Sequence, residues 1–180
     1  LKNRLIISPR CHLIMPYHKI LDNLYEKAKG KYKTGTTGKG IGPAHSDKVS
    51  YNGIRLYDLL DNKLFSQKLK VQLMVKNPIL QALGEKPLSE ITIKNTFLKY
   101  RKKIQPYVKE SYSLIYSALS GFGQYPALQK KQNILLEGAH GVFLDNDWGT
   151  YPFVTASTCL SGGVTGGIGI APNKIDTIIG

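Results

Sequence analysis

Apolar residues recur at offsets of three and four in successive stretches between Pro16 and Leu119, and from Gln132 that spacing gives way to short apolar runs and glycine-rich turns. A chain whose hydrophobic period changes part-way cannot be one uniform bundle, because the two periods bury different faces. The earlier portion is therefore expected to be helical. The later portion is expected to contribute to an α/β sheet.

The helical portion is punctuated clearly. Tyr17, Ile20, Leu21, Leu24, Tyr25 and Ala28 share a face, with Pro16 opening the stretch and Gly30 just past Lys29. A Lys/Gly/Thr loop from Gly30 to Gly42 follows. Ile54, Leu56, Leu59 and Leu60 then lead into a helical pattern from about Leu64 to Val75, which Pro78 is expected to stop. Ser89 is a plausible N-cap for a helix carrying Ile93, Phe97, Tyr100 and Ile104. Pro106 separates it from one carrying Tyr112, Ile115, Tyr116 and Leu119. These stripes read as core.

Asn133 to Leu136 is a continuous apolar run ending in Glu137-Gly138-Ala139, which suits a buried strand. Polar turns at Asp145-Asn146-Asp147, the segment Gly149-Thr150-Tyr151-Pro152 and a glycine-rich tract from Gly162 to Gly169 follow. Loops at strand ends are where α/β proteins hold ligands.

Charge and cysteine usage narrow the function classes. The formal charge is +13 over 180 residues, but apart from Lys99 to Lys103 and Lys130-Lys131 the basic residues are dispersed. No nucleic-acid motif accompanies them, so the expected partners include no nucleic acid. No run approaches a membrane span and no signal-peptide core opens the chain, so no membrane partner and a cytoplasmic setting are expected. Cys11 and Cys159 have no metal-like spacing and read as reduced thiols. The opening Leu1 and the apolar close at Ile175, Ile178 and Ile179 suggest an internal piece of a longer protein.

Two segments could carry chemistry. Gly35-Thr36-Thr37-Gly38-Lys39-Gly40-Ile41-Gly42-Pro43 offers backbone N–H groups and threonine hydroxyls to an anion. It is no P-loop, since Thr34 or Lys33 stands where glycine is needed and Gly40 follows Lys39 where Ser or Thr would hold magnesium. A phosphate-contacting loop and a purely structural turn both remain open. The second segment runs from Glu137-Gly138-Ala139-His140-Gly141 to Thr155. Asp145 and Asp147 with His140 could form a metal or acid/base site, or the acids could cap turns through backbone amides. Neither Ser157 nor Cys159 sits in a nucleophile pattern. Residue spacing alone stops at a binding protein of α/β type for a small phosphate-bearing molecule.

Pro16-Tyr17-His18 through Asp22, the Gly35 to Pro43 loop with Asp47-Lys48, Glu137-Gly138-Ala139, and Asp145 through Ala156 together resemble the adenylosuccinate synthetase family, in the right order. That resemblance implies a helical subdomain plus part of a P-loop-NTPase-like mixed α/β sheet domain, truncated at both ends. The expected division is 1–15 and 126–180 in the sheet domain and 16–125 in the helical subdomain. It further implies a homodimeric ligase of purine biosynthesis that uses GTP and Mg2+ to join IMP to L-aspartate, giving adenylosuccinate, GDP and phosphate.

The family's catalytic groups and magnesium ligands fall before Leu1, and its aspartate-binding and guanine-recognition segments after Gly180. No catalytic residue and no metal ligand is therefore expected in this chain, which by itself is expected to be inactive. Thr37 and Thr155 match IMP-contacting threonines. His140 stands where the family carries Gln or Asn, and Tyr51 where it carries an arginine that reaches a neighbour's IMP phosphate. Tyrosine has neither the charge nor the bidentate fork of arginine, so either a nearby base such as Lys48 or Arg55 compensates or this member has lost affinity or activity. The alternative is a family-derived nucleotide-binding or interaction protein without synthetase activity.

Overall fold

Pro16 opens the first helix, α1 (Pro16–Lys29), at a position whose missing N–H would have no intrahelical partner. Gly30 closes it with φ 56° and its N–H on the Lys27 carbonyl. The computed structural model describes residues 4–123, 125 and 130–179. Its contacts form two units, Leu1–Lys109 and Glu110–Gly180. The expected boundary at 125/126 adjoins residues 126–129, which lie outside the described residues.

In the first unit α1 is followed by a 3-10 turn (Gly30–Tyr32), α2 (Ile41–Val49), α3 (Leu56–Leu60), α4 (Asn62–Ala82) and α5 (Glu90–Ile104). Side chains cap the starts as the residue types suggest. Asp61 accepts from Lys63 N at 2.7 Å and Leu64 N at 3.0 Å, and Ser89 from Thr92 N at 3.3 Å. Met15, Tyr17, Leu21, Ile54, Leu56, Leu59, Phe65, Leu69, Leu80, Ile93 and Phe97 belong to one buried cluster. Each such side chain contributes about 2 kcal/mol on leaving water. The segment before α1 is tied to this unit by single bridges, Ile7 parallel to Val108 and His12 antiparallel to Arg55. Leu13 N donates to Ile54 O and Leu56 N to Cys11 O, both at 2.8 Å.

Three features differ from the sequence reading. Helix α4 runs through Pro78 rather than stopping at it. The proline removes one intrahelical hydrogen bond, but Leu80 beyond it is fully buried. Asn77 before it is also held, donating to Leu88 O at 3.1 Å and accepting from Leu88 N at 2.9 Å. Helix α2 gives no apolar stripe, since Ala44 is its one buried apolar residue; polar contacts hold it instead. The inward face of α1 includes His18 and Asp22, whereas Tyr25 is half exposed.

The second unit contains α6 (Ser111–Ser120), a 3-10 turn (Val142–Leu144), α7 (Gly162–Ile168) and a 3-10 turn at Pro172–Lys174. Glu110 accepts from Tyr112 N, and Gly121, left-handed at φ 73°, ends α6. Here the expected core stripe is corrected. Ser117 and Ala118 are buried, while Tyr112 and Tyr116 stand half exposed with their rings stacked at 6.3 Å. The glycine tract is a short helix rather than a loop. Thr165 Oγ1 bonds Gly162 O at 2.8 Å and Gly169 caps the end.

Asn133 to Leu136 pairs with no other described segment, and Leu135 is 85% exposed. Among the described residues the only β-pairings are the isolated bridges of the first unit. A lone apolar strand has no ladder to satisfy its N–H and C=O groups, so the expected sheet is not seen among the described residues.

Candidate functional site

The loop between α1 and α2 is built from carboxylates on α1. Asp22 and Glu26 lie one helical turn apart and therefore project from the same side. Glu26 Oε1 accepts from the Thr34 hydroxyl at 2.6 Å, Lys29 Nζ at 3.0 Å and Thr34 N at 3.3 Å. Its Oε2 accepts from Gly35 N at 2.8 Å and Thr36 N at 3.4 Å. Three successive amides thus wrap one carboxylate, an anion nest filled from within the chain. The Thr34 hydroxyl is the largest influence on Glu26; with Lys29 and the amides of Gly35 and Thr34 it outweighs desolvation and draws the carboxyl down to about 2.

Asp22, buried, accepts from Gly40 N at 2.8 Å. Gly40 has φ 80°, and a Cβ there would lie 2.8 Å from Lys19 N and 2.9 Å from His18 C. Only glycine fits that approach. Between the two grips lie Thr37, Gly38 and Lys39. Thr37 is exposed, and among the described residues its hydroxyl has no hydrogen-bond partner.

Behind the loop, α1 and α2 are joined through buried polar groups. Met15 N donates to His18 Nδ1 at 2.9 Å, so the ring proton sits on Nε2 and is donated to Asp47 Oδ2 at 2.9 Å. Lys76 from α4 pairs with the other Asp47 oxygen. Burial alone would raise the Asp47 pKa, but the hydrogen bonds from His18 and Lys76 prevail and lower it. The Tyr17 ring stands edge-on to His18 at 4.5 Å. Burial, with Asp47 adding to it, pushes the Tyr17 phenol up.

Tyr51 follows the other end of α2 at φ 65° and is 96% exposed. A nine-residue helix separates it from the Thr37 loop, about 13 Å along the axis. Arg55 Nε faces His12 Nε2 at 3.4 Å, and its backbone N–H donates to Asp58 at 2.7 Å. Burial, followed by Arg55 and Lys48, lowers the His12 pKa. Lys48 is exposed in the last turn of α2.

In the second unit Asp145 is fully buried and its oxygens face backbone amides. Oδ1 accepts from Asp147 N and Trp148 N, each at 3.0 Å, and Oδ2 from Cys159 N at 2.7 Å. The Trp148 amide, then those of Asp147 and Cys159, hold its carboxyl below the usual range. Of the two readings of this acid, the structure supports the turn-forming one. Gly149 lies where a Cβ would come within 2.4 Å of both the Asp145 and Phe143 carbonyls. Thr155, half-buried, donates its N–H to Leu144 O at 2.8 Å and sets its hydroxyl 3.5 Å from Ser157 Oγ. His140, exposed at φ 73°, stands just before the Val142–Leu144 turn that receives this bond.

Thr37 and Tyr51 thus sit at opposite ends of α2 in one unit, and His140 and Thr155 flank one short turn in the other. Tyr51 and His140 are also the non-glycine residues with positive φ among the described residues. Apolar periodicity missed Asp22, Glu26, His18 and Asp47. The available signal was two acids at i and i+4 beside a glycine-rich loop.

Each unit thus carries a threonine-bearing loop shaped by carboxylate oxygens that accept backbone amides. A profile of the family described as adenylosuccinate synthetase matches residues 1–180; the chain belongs to that family. It is 45% identical over 178 residues to the adenylosuccinate synthetase of Clostridium botulinum (strain Eklund 17B / Type B), covering 98% of this chain and 40% of that protein. It is 44% identical over 177 residues to that of Clostridium perfringens (strain 13 / Type A), covering 98% of this chain and 39% of that protein. A solved structure of fully ligated adenylosuccinate synthetase from Plasmodium falciparum superposes with a TM-score of 0.82 at 31% identity, over 98% of this chain and 39% of that one. The chain spans about two fifths of the length of the relatives it matches. No helix among the described residues is long and apolar enough to cross a membrane.

Proposed function

We propose that this chain is the IMP-binding region of a GTP-dependent adenylosuccinate synthetase, with Thr37 and Thr155 as hydroxyl donors to the nucleotide. The observation that carries the reading is the Thr37 loop: its neighbouring amides are engaged by Glu26, and the Thr37 hydroxyl is left exposed. In the whole protein GTP phosphorylates the purine oxygen of IMP, which is otherwise a poor leaving group. The amine of L-aspartate then displaces phosphate. His140 lies beside the Thr155 turn and donates one hydrogen bond where an amide would offer a paired donor and acceptor.

Mg2+ would stabilise charge on the transferred phosphoryl group. The described residues do not fit that ion: no three His, Cys, Asp or Glu side chains converge, and the Asp145 oxygens already receive amides. The proposal therefore assigns magnesium, most GTP contacts and the catalytic groups to other parts of the whole protein, and this chain alone is inactive. It places residues 16–125 in the helical subdomain, and 1–15 and 126–180 in the sheet domain of a cytoplasmic homodimer. There Asn133 to Leu136 finds its neighbouring strands and Leu135 is covered.

The test is adenylosuccinate formation by the whole protein from GTP, IMP and L-aspartate. Thr37→Ala and Thr155→Ala should each raise the KM for IMP about tenfold, the effect of one hydrogen bond to a charged group. Unchanged IMP dependence in both variants would overturn the site. A second reading, a nucleotide-binding protein of the family without synthetase activity, is favoured by the neutral, exposed Tyr51. Turnover absent in wild type and restored by Tyr51→Arg would establish it. Robust wild-type turnover that arginine does not improve would dismiss it and assign the phosphate to another base such as Lys48 or Arg55.

A further inference from the structure

Asp22 and Glu26 have no part in the proposed chemistry, yet both spend buried or half-buried carboxylates on the loop that bears Thr37. Glu26 engages Thr34, Gly35 and Thr36 on one side, and Asp22 engages Gly40 on the other. Both acids come from α1, whose Tyr17, Leu21 and Leu24 are in the core and whose His18 is bonded to Asp47 of α2. The helix is a fixed rail, and the loop is pinned to it at two points one helical turn apart.

We propose that Asp22 and Glu26 are positioning residues for nucleotide binding, clamping the loop on both sides of Thr37 so that Thr37 to Lys39 are set before the phosphate arrives. This rests on the reading of Thr37 as a phosphate contact. Ordering backbone residues opposes binding through lost conformational entropy, and a loop held in advance has already met that requirement. The clamp also divides the amides. Those of Thr34 to Thr36 face Glu26 and are withheld from the ligand, while the Thr37 hydroxyl and the amides of Gly38 and Lys39 have no partner among the described residues. Lys29, 3.0 Å from Glu26, offsets a negative charge that would otherwise oppose a phosphate nearby.

The test uses the whole protein. Glu26→Ala should raise the KM for IMP about tenfold while kcat stays within about threefold and the KM values for GTP and L-aspartate hold, because binding geometry alone is lost. Glu26→Gln keeps one acceptor oxygen and should recover part of the loss, as should Asp22→Asn relative to Asp22→Ala. A purely structural role would lower Tm and the active fraction without a selective change in the KM for IMP. That result would overturn the inference. If Thr37→Ala raises the KM for IMP and Glu26→Ala does not, the clamp fails and the site stands; if neither does, the site itself fails.

Hydrogen exchange on the wild-type protein decides the matter even where a variant does not fold. Without nucleotide, the amides of Thr34, Gly35, Thr36 and Gly40 should exchange at least about tenfold more slowly than those of Gly38 and Lys39, and IMP should slow the latter pair. Equal exchange across the whole loop without nucleotide would overturn the clamp.

Discussion

The two units solve the same local problem with different support. In each, a threonine-bearing loop is shaped by carboxylate oxygens that accept backbone amides. In the first unit the acids stand on α1, anchored in a cluster that includes Phe65, Leu69 and Leu80. In the second the acid is Asp145, part of the loop it shapes, and apolar side chains such as Leu135, Phe143 and Trp148 are largely exposed. A carboxylate can therefore order a loop without a hydrophobic core beneath it. The difference lies in what keeps the carboxylate in place.

The largest effect that could break this comparison is in the core. Phe65→Ala in the 180-residue chain should cost about 3–5 kcal/mol by opening a cavity, read from denaturant unfolding. Leu135→Ala should change stability by less than about 0.5 kcal/mol in the same chain. In the whole protein, where we place that side chain in a sheet, it should cost about 2–5 kcal/mol. Equal effects of Phe65→Ala and Leu135→Ala in the chain itself would erase the contrast.

Next in size is the buried polar link behind the first loop. Asp47→Ala leaves Lys76 and His18 without their shared acceptor and should cost about 3 kcal/mol. Because the folded pKa of Asp47 is lowered, its contribution is complete above the unfolded carboxylate value of about 3.9 and is lost as pH falls through the lower folded value. Acid unfolding of Asp47→Asn should accordingly lose part of the wild-type slope below about pH 4. Glu26 behaves in the same sense, its share disappearing only as pH falls toward about 2.

In the second unit, Asp145→Ala should speed exchange at the Asp147, Trp148 and Cys159 amides about tenfold or more, since each loses its acceptor. Protection of the Thr34 to Thr36 amides should not change. Loss of protection in both loops would show that the two are not independently supported. One expected effect is stabilising: Tyr51→Gly removes a side chain from left-handed backbone and should raise stability by about 1 kcal/mol, seen as a higher Tm.

Much of the first unit was legible because its helices carry local signals. Pro16 and Gly30 bracket α1, Ser89 caps α5, and Ile93 and Phe97 share its buried side. Helix α2 was illegible because polar bonds replace the apolar stripe, and Tyr112 and Tyr116 were misread because spacing gives a face without saying what meets it. At the site, Thr37 and Thr155 came from resemblance to a family. Of the acids that shape their loops, Asp145 was legible as a turn-capping acid and Asp22 lay in a family-like stretch, but Glu26 came from neither spacing nor motif.

The amino-acid sequence by itself determined where α1 begins and ends and where α5 begins, which family the chain resembles, and that its apolar spacing changes part-way along. Those properties depend on residues a turn or two apart. Tertiary structure alone decided that α4 continues through Pro78, that His18 and Asp47 meet in the interior, and that Glu26 and Asp22 grip the loop around Thr37. Each of these depends on a hydrogen bond or a buried contact between groups distant along the chain, and such a partner exists only once the helices have packed.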